Sequence, residues 1–283
     1  MALERNYLHL DGGLHLHFRS GGNCNADRGF PMVLLHPSPR SSRLLEPFGG
    51  MLTSHFQAFL PDLFGYGQSD PLPAPVTSLH DYLPYLKQAF DKWGLQRFGL
   101  YGSATGAQLA IAFANSYPES VAHLFLDNAA EFTDHQRTDI LNRYFVDATP
   151  QANGSHVAAL WAHIRQSIYA FPWYSEREED CIRTEKLPDA VEAAICADIL
   201  TDYLIAGPHY ADAYWAAFDH ERAENVLKLT VPTTIFRWAG SPILTYIDQL
   251  TQHSFPAHIQ VQDIPVVGRY EAMLATIIQQ LKP

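Results

Sequence analysis

The stretch that most restricts how this chain can fold runs from Gly99 to Ala114: Gly-Leu-Tyr-Gly-Ser-Ala-Thr-Gly-Ala-Gln-Leu-Ala-Ile-Ala-Phe-Ala. With Phe98 before it, the stretch opens as a short apolar run, the pattern of a strand buried on both faces. Its middle, Gly102-Ser103-Ala104-Thr105-Gly106, carries only small side chains, which permits a turn tight enough for backbone to approach backbone. From Gln108 good helix formers follow, and a helix is predicted to about Tyr117. A buried strand that feeds a helix through five small residues belongs to the α/β class.

The rest of the chain repeats this order. Residues 7–18 alternate apolar and polar around Asp11-Gly12-Gly13, the pattern of a β-hairpin. Met32-Val33-Leu34-Leu35 reads as a buried strand, 44–55 as a helix, 56–61 as a strand, 79–93 as a helix, and 121–126 as a strand ending at Asp127. Strands alternating with helices imply a mainly parallel sheet with helices on both faces, whose ligands bind beyond the carboxyl ends of the strands. From about Ala130 to Leu229 the strand pattern stops. This segment reads as helical and is rich in aromatics, among them Trp161, Phe171, Trp173, Tyr174 and Tyr214. Strands resume at 233–238 and 259–264, and a closing helix is predicted over 271–281. The expected organisation is a core formed by 1–129 and 230–283, with a helical cap, 130–229, inserted between its halves.

Composition narrows the partners. The 283 residues are 47% hydrophobic and 17% charged, as in ordinary globular proteins. A net charge of −11 argues against nucleic acid and anionic membranes, leaving a small molecule as the expected partner. Three cysteines, Cys24, Cys181 and Cys196, are odd in number and lack metal-ligand spacing, so neither a disulfide framework nor a metal site is expected. There is no dinucleotide glycine pattern, and no cofactor is implied. No apolar run follows the N-terminus and no segment approaches spanning length, so a cytoplasmic location is expected. Nothing in the sequence fixes the oligomeric state.

Three loops, each after a predicted strand, resemble those of the α/β-hydrolase fold superfamily, and the resemblance covers essentially the whole chain. Gly102-Ser103-Ala104-Thr105-Gly106 is similar to the nucleophile elbow, Gly-x-Ser-x-Gly. Asp62-Leu-Phe-Gly-Tyr-Gly-Gln-Ser-Asp70 is similar to the loop after the fourth strand, and His36-Pro37-Ser38-Pro39 to the His-Gly-x-Pro stretch that shapes an oxyanion hole. The resemblance implies an α/β-hydrolase fold, a mainly parallel central sheet flanked by helices, with a helical cap insertion. It also implies a nucleophile at the elbow tip, an acid after the strand at 233–238 and a histidine after the last strand. Those positions hold Ala104, Ser241 and Arg269. Alanine has no nucleophile, and arginine stays protonated and cannot serve as a base. Ala104 is either an engineered substitution, of the kind made to trap a ligand, or native; change at three positions together favours native divergence. His36-Pro-Ser-Pro-Arg40-Ser41, Ala104-Thr105-Gly106-Ala107 and the cap residues His156, Trp161, Arg165 and Phe171-Pro-Trp-Tyr174 resemble a capped subgroup that lacks the usual serine.

What is left points to an enzyme that handles a small, partly apolar substrate by non-covalent chemistry of a lyase, isomerase or cyclase type. The backbone N–H groups of Ser38 and Thr105 are the candidate oxyanion donors, the second at a helix N-terminus. Ala104 marks the elbow position, and Asp127, at a strand's carboxyl end, is a candidate base or orienting acid. In the cap, His156 is a candidate acid or base and Arg165 a candidate carboxylate binder, with Trp161 four residues before it on the same helix face. Arg40, Ser103, Trp173, Tyr174 and His209 complete the expected substrate-binding set. Packing is the plainer role for each of these residues, and His36 is read as a loop-ordering residue. The alternatives are a conventional serine-type hydrolase inactivated at Ala104, or a non-catalytic ligand-binding member.

Overall fold

The computed structural model describes residues 2–22, 30–183 and 185–281, so Cys24 lies outside the described residues. Eight strands form one sheet: β1 (Glu4–His9), β2 (His15–Gly21), β3 (Pro31–Leu35), β4 (Gln57–Pro61), β5 (Phe98–Ser103), β6 (Val121–Asp127), β7 (Thr233–Trp238) and β8 (Ile259–Ile264). Their order is β1-β2-β4-β3-β5-β6-β7-β8. β1 and β2 form the expected hairpin, β2 runs antiparallel to β4, and all later pairings are parallel.

The continuous apolar run of β3 is explained by cover on both faces. Met32 and Leu34 share a cluster with Leu45, Phe48 and Leu52 of helix α1 (Ser42–Leu52) and with Met273 and Ile277 of a closing helix. Val33 and Leu35 belong to the opposite cluster. They join Leu86 and Phe90 of α2 (Leu83–Lys92) and Leu109 and Phe113 of α3 (Thr105–Ser116). Parallel strands buried in this way have no polar face to alternate with. The helix expected over 79–93 is in two parts: a 3-10 turn, Leu79–Tyr82, opened by a Ser78–Asp81 capping box, and then α2. The capping box starts the first turn, and Pro84, which lacks an amide proton, is accommodated in the first turn of α2.

Between β6 and β7 there are only helices: α4 (Asp134–Arg143), α5 (Ser155–Ser167), α6 (Asp189–Ala206), α7 (Asp212–His220) and α8 (Ala223–Leu227), besides short 3-10 turns. They do not pack as one unit. α5 and α6 share a small cluster of their own around Leu160, Ile164, Cys196 and Tyr203. In contrast, Ala213, Ala216 and Ala217 of α7 and Val226 of α8 belong to the same cluster as α3 and the sheet. The small side chains of α7 let it lie close against α3. α9 (Leu244–Thr251) joins β7 to β8, and α10 (Arg269–Leu281) closes the chain, starting two residues before the predicted helix. Cys181 and Cys196 are free thiols. No helix of the described residues is long and apolar enough to cross a membrane.

Candidate active site at the carboxyl ends of the strands

Strand register brings the site together. Leu35 pairs with Gly102, Ser103 with Asp127, and Asp127 with Phe236, so the ends of β3, β5, β6 and β7 lie side by side. The turn after β5 is forced by its small residues. A Cβ on Gly102 would come within 2.2 Å of the Gly106 carbonyl oxygen, and one on Gly106 within 2.2 Å of the Leu35 oxygen. Both positions therefore demand glycine, and the first turn of α3 is pressed against the end of β3. The residue between them takes the strain: Ala104 has φ +48° and ψ −114°, a region that L-residues rarely occupy. Its N–H donates to the Asp127 carbonyl at 2.9 Å. Its own carbonyl accepts from the Ala107 and Gln108 amides at 2.8 and 3.1 Å, opening α3.

Ala104 lines a cavity of about 380 Å³. Ser38, Arg40, Ser103, Thr105 and Asp127, all expected at the site, line it too. Phe132, Phe171, Phe218, Ile199 and Ile243 give it apolar walls, and Tyr144 and Tyr214, whose hydroxyls lie 2.9 Å apart, add polar edges. Thr105 is the first residue of α3, so its N–H is one of the amides a helix leaves unpaired at its start. His36 has the loop-ordering role read from the sequence. Its Nε2 accepts from the Leu63 amide at 2.8 Å, so Nδ1 donates to the Pro37 carbonyl at 2.9 Å, and burial lowers its pKa.

Ser241 and Arg269, the residues expected from the resemblance at the acid and base positions, have other work. Arg269, at the start of α10, places Nη2 2.5 Å from Asp127 Oδ2 and stacks its guanidinium on Trp238 at 4.0 Å. Burial opposes the charge of Arg269, but the Asp127 carboxylate and Tyr101 outweigh it and hold its pKa above the ordinary value. The Tyr101 hydroxyl donates to the same oxygen at 2.6 Å, and the Ser103 hydroxyl at 3.3 Å. Burial, and then the neighbouring carboxylate, push the Tyr101 phenol well up, so it is a fixed donor. All three donors fall on Oδ2. Oδ1 of Asp127 is buried without a hydrogen-bond partner. Ser241 donates to Asn128 Oδ1 at 2.7 Å and accepts from the Ile243 amide, so its hydroxyl braces the loops after β6 and β7.

With this geometry in view, comparison with known proteins decides the family. A family model described as alpha/beta hydrolase fold matches residues 31–256. The chain belongs to the α/β-hydrolase fold family. A 2-hydroxy-6-oxononadienedioate/2-hydroxy-6-oxononatrienedioate hydrolase of Paraburkholderia phymatum is 31% identical over 123 residues, 41% of each chain. The chain thus spans about two fifths of the length of the curated relatives it matches. Among solved structures, Cfl2 of Burkholderia cenocepacia aligns with a TM-score of 0.70 at 20% identity, over 100% of this chain and 97% of that one. The enol-lactonase of Burkholderia xenovorans aligns with a TM-score of 0.66 at 16% identity, over 98% and 99%. These likenesses at low identity establish the fold.

Within this hydrolase fold, the remaining predicted residues lie elsewhere. His156 is in the first turn of α5, where Nδ1 accepts from the Gln151 amide at 3.1 Å, and it does not line the cavity. Arg165 is half exposed and pairs with Glu192 at 2.5 Å. Trp161 packs against the α5–α6 cluster, and no cation–ring contact joins it to Arg165. Trp173 donates to the Tyr144 carbonyl at 2.8 Å. Tyr174 donates to Asp139 at 2.7 Å with Arg143 over its ring, and His209 is exposed beside Asp212. The physical reason is common to all of them: their polar groups and rings are used in contacts within the segment between β6 and β7. Arg40 does line the cavity, but its guanidinium lies on Asp202 at 2.7 Å and Asp198 at 2.6 Å, both on α6. Arg43 pairs with the same two carboxylates, and Ser41 donates to Asp202 at 3.2 Å. The expected anion binder therefore fastens α6 to the loop after β3.

Sequence reasoning missed two ionisable cavity residues. Arg269 was read only as a lost base, although the register of β6 and the place of α10 set it on Asp127. Glu221, directly after α7, is buried at 5% exposure and lines the cavity. No motif marks it; the only signal was a carboxylate at the end of a helix otherwise rich in alanine and aromatics.

Proposed function

We propose that this chain is an α/β-hydrolase-fold enzyme that acts on a small, partly apolar carbonyl compound without a covalent intermediate. Residues 1–129 and 230–283 would form its core and 130–229 its cap. The observation that carries this reading is what stands in place of the triad: Ala104 at the tip, Ser241 committed to Asn128, and Arg269 paired with Asp127. Among the described residues, no histidine lines the cavity. A serine at position 104 would therefore have no histidine base in the cavity, and one inactivating substitution does not account for the site. The amides of Ser38 and Thr105 remain as donors to an oxygen on which negative charge develops, as in an enolate. Eliminations, isomerisations and cyclisations of carbonyl compounds pass through such a state. The names of the relatives support a carbonyl substrate: an oxo-dienedioate in one, an enol-lactone in another. A cytoplasmic location belongs to the same reading and rests on the sequence alone.

The test is an NMR screen of small oxo acids, ketones and esters in deuterated water, with intact-protein mass spectrometry alongside. Turnover, or deuterium exchange next to a carbonyl, is expected without any covalent adduct, and Ala104→Ser is expected to resist a serine-directed phosphonate. Phosphonate labelling and ester hydrolysis by Ala104→Ser would overturn the reading. A second reading, a ligand-binding member without catalysis, is favoured by one observation: Asp127 is already held by Arg269, Tyr101 and Ser103. Saturable binding with neither turnover nor exchange would select it.

A further inference from the structure

Glu221 is the charged-type side chain of the cavity that no partner explains. Oε2 is buried without a hydrogen-bond partner, and among the described residues no ion pair reaches the carboxyl group. The nearest candidate cation, Arg137, is spent. Its Nε donates to the Phe218 carbonyl at 3.0 Å, and Nη2 donates to the Phe132 carbonyl and to the backbone carbonyl of Glu221 itself at 2.9 and 2.8 Å. Nη1 donates to Asp134 at 3.0 Å. Glu221 lines the cavity with Ala217, Phe218, Phe132 and Tyr214, whose hydroxyl lies 2.9 Å from that of Tyr144. Burial pushes Glu221 well above the ordinary carboxyl range, with Arg137 opposing it only in part. A shift in this direction favours the uncharged acid, whose O–H finds no acceptor among the described residues. Buried donors without acceptors are rare in folded proteins, and one that borders a cavity is satisfied when the cavity fills.

We propose that Glu221 is a specificity-determining residue of the cavity, whose carboxyl group donates a hydrogen bond to an uncharged carbonyl oxygen of the small-molecule occupant. The proposal rests on the reading above insofar as that cavity is the ligand site, and it adds a second polar anchor away from the elbow. It also sets a selection rule. An occupant that presents a carboxylate to Glu221 brings a negative charge to a group without any cation to answer it. A neutral ketone, ester or amide oxygen accepts the proton donor directly. Any anionic group of the substrate belongs at the other polar wall, beside Arg269.

Binding of two probes of similar size, benzylacetone and its hydrocarbon counterpart butylbenzene, tests this by ligand-observed NMR on the whole protein. Glu221→Leu is expected to weaken benzylacetone about ten-fold relative to butylbenzene, the effect of one buried hydrogen bond. Glu221→Gln, whose amide still donates, should keep that ratio within about three-fold. An unchanged ratio in Glu221→Leu, or a wild-type protein that binds neither probe, overturns the proposal. Infrared difference spectra of wild type against Glu221→Gln at neutral pH give an independent check. The protonated-carboxyl stretch is expected in the wild type and should move on benzylacetone binding; its absence also overturns the proposal. Failure of the non-covalent chemistry would look different: no turnover, with the probe ratio intact.

Discussion

Asp127 and Glu221 border the same cavity and are equally hidden from water, at 1% and 5% exposure. They are opposites in every other respect. Asp127 ends a central strand, where the neighbouring strand supplies Tyr101 and Ser103 and the closing helix supplies Arg269. Glu221 follows α7 and lines the cavity with Ala217, Phe218 and Tyr214, while Arg137 serves backbone carbonyls and Asp134. The difference teaches what burial does to a carboxyl group. With fixed donors and a cation it is held as part of the scaffold; without them burial favours the uncharged, protonated form.

The largest effect should come from breaking the supported side of this contrast. Arg269→Met leaves a buried carboxylate with no cation, and a loss of about 3–5 kcal/mol is expected in denaturant unfolding. Adding Asp127→Leu should recover much of it, because the orphaned charge is then gone. If the single substitution proves neutral, Asp127 is not an ion-paired carboxylate.

Asp62 supplies a second supported carboxylate for comparison. It accepts from the Ser42 and Gln68 amides at 2.7 and 2.9 Å and lies 2.8 Å from His17 Nδ1. Despite burial, His17 and these donors bring its pKa down to about 2. Its folded value lies below its unfolded one, so its stabilisation is present above about pH 4 and is lost as pH falls toward 2. Asp62→Asn should cost about 2 kcal/mol at neutral pH, and the gap to wild type should close in acid. His123, His163 and His220, each brought down to about 4 by burial, also favour acid unfolding, so only the difference between variant and wild type isolates Asp62.

Glu221 should behave with the opposite sign. Its folded pKa lies above its unfolded value, so the native state keeps a proton that the unfolded chain releases. Stability from this group is full below the unfolded carboxyl pKa and is lost as pH rises. Glu221→Gln should therefore gain on wild type by about 1 kcal/mol per pH unit from near pH 5 upward, measured by urea unfolding across pH. A flat difference would mean that Glu221 has found a counter-ion. The smallest effect concerns the turn itself. Ala104→Gly relieves a strained φ but adds freedom to the unfolded chain, and a net gain of about 1 kcal/mol is expected in thermal unfolding.

Much of the fold was legible because its signals are local. The apolar run of β3, the paired glycines of the elbow and the helix formers after it each depend on neighbours within a few residues. So does the start of the first hairpin. The elbow wall of the site was legible for the same reason: Ser38, Ser103, Ala104, Thr105 and Asp127 sit at strand ends or just after them, where strand order sets their place, and all of them line the cavity. The cap-like segment was not. His156, Trp161, Arg165, Trp173, Tyr174 and His209 were chosen by residue type and helical spacing, which say which residues share a face but not what that face meets.

Sequence alone thus determined the α/β order of elements and the glycine-enforced turn with Ala104 between its glycines. These are properties of single positions and short periods. Only the tertiary structure decided that Arg269 closes on Asp127 across 142 residues, that Arg40 is spent on α6, and that Glu221 borders the cavity without a partner. Ion pairing and desolvation depend on which groups come within a few ångströms after folding, and the spacing along the chain does not encode that distance.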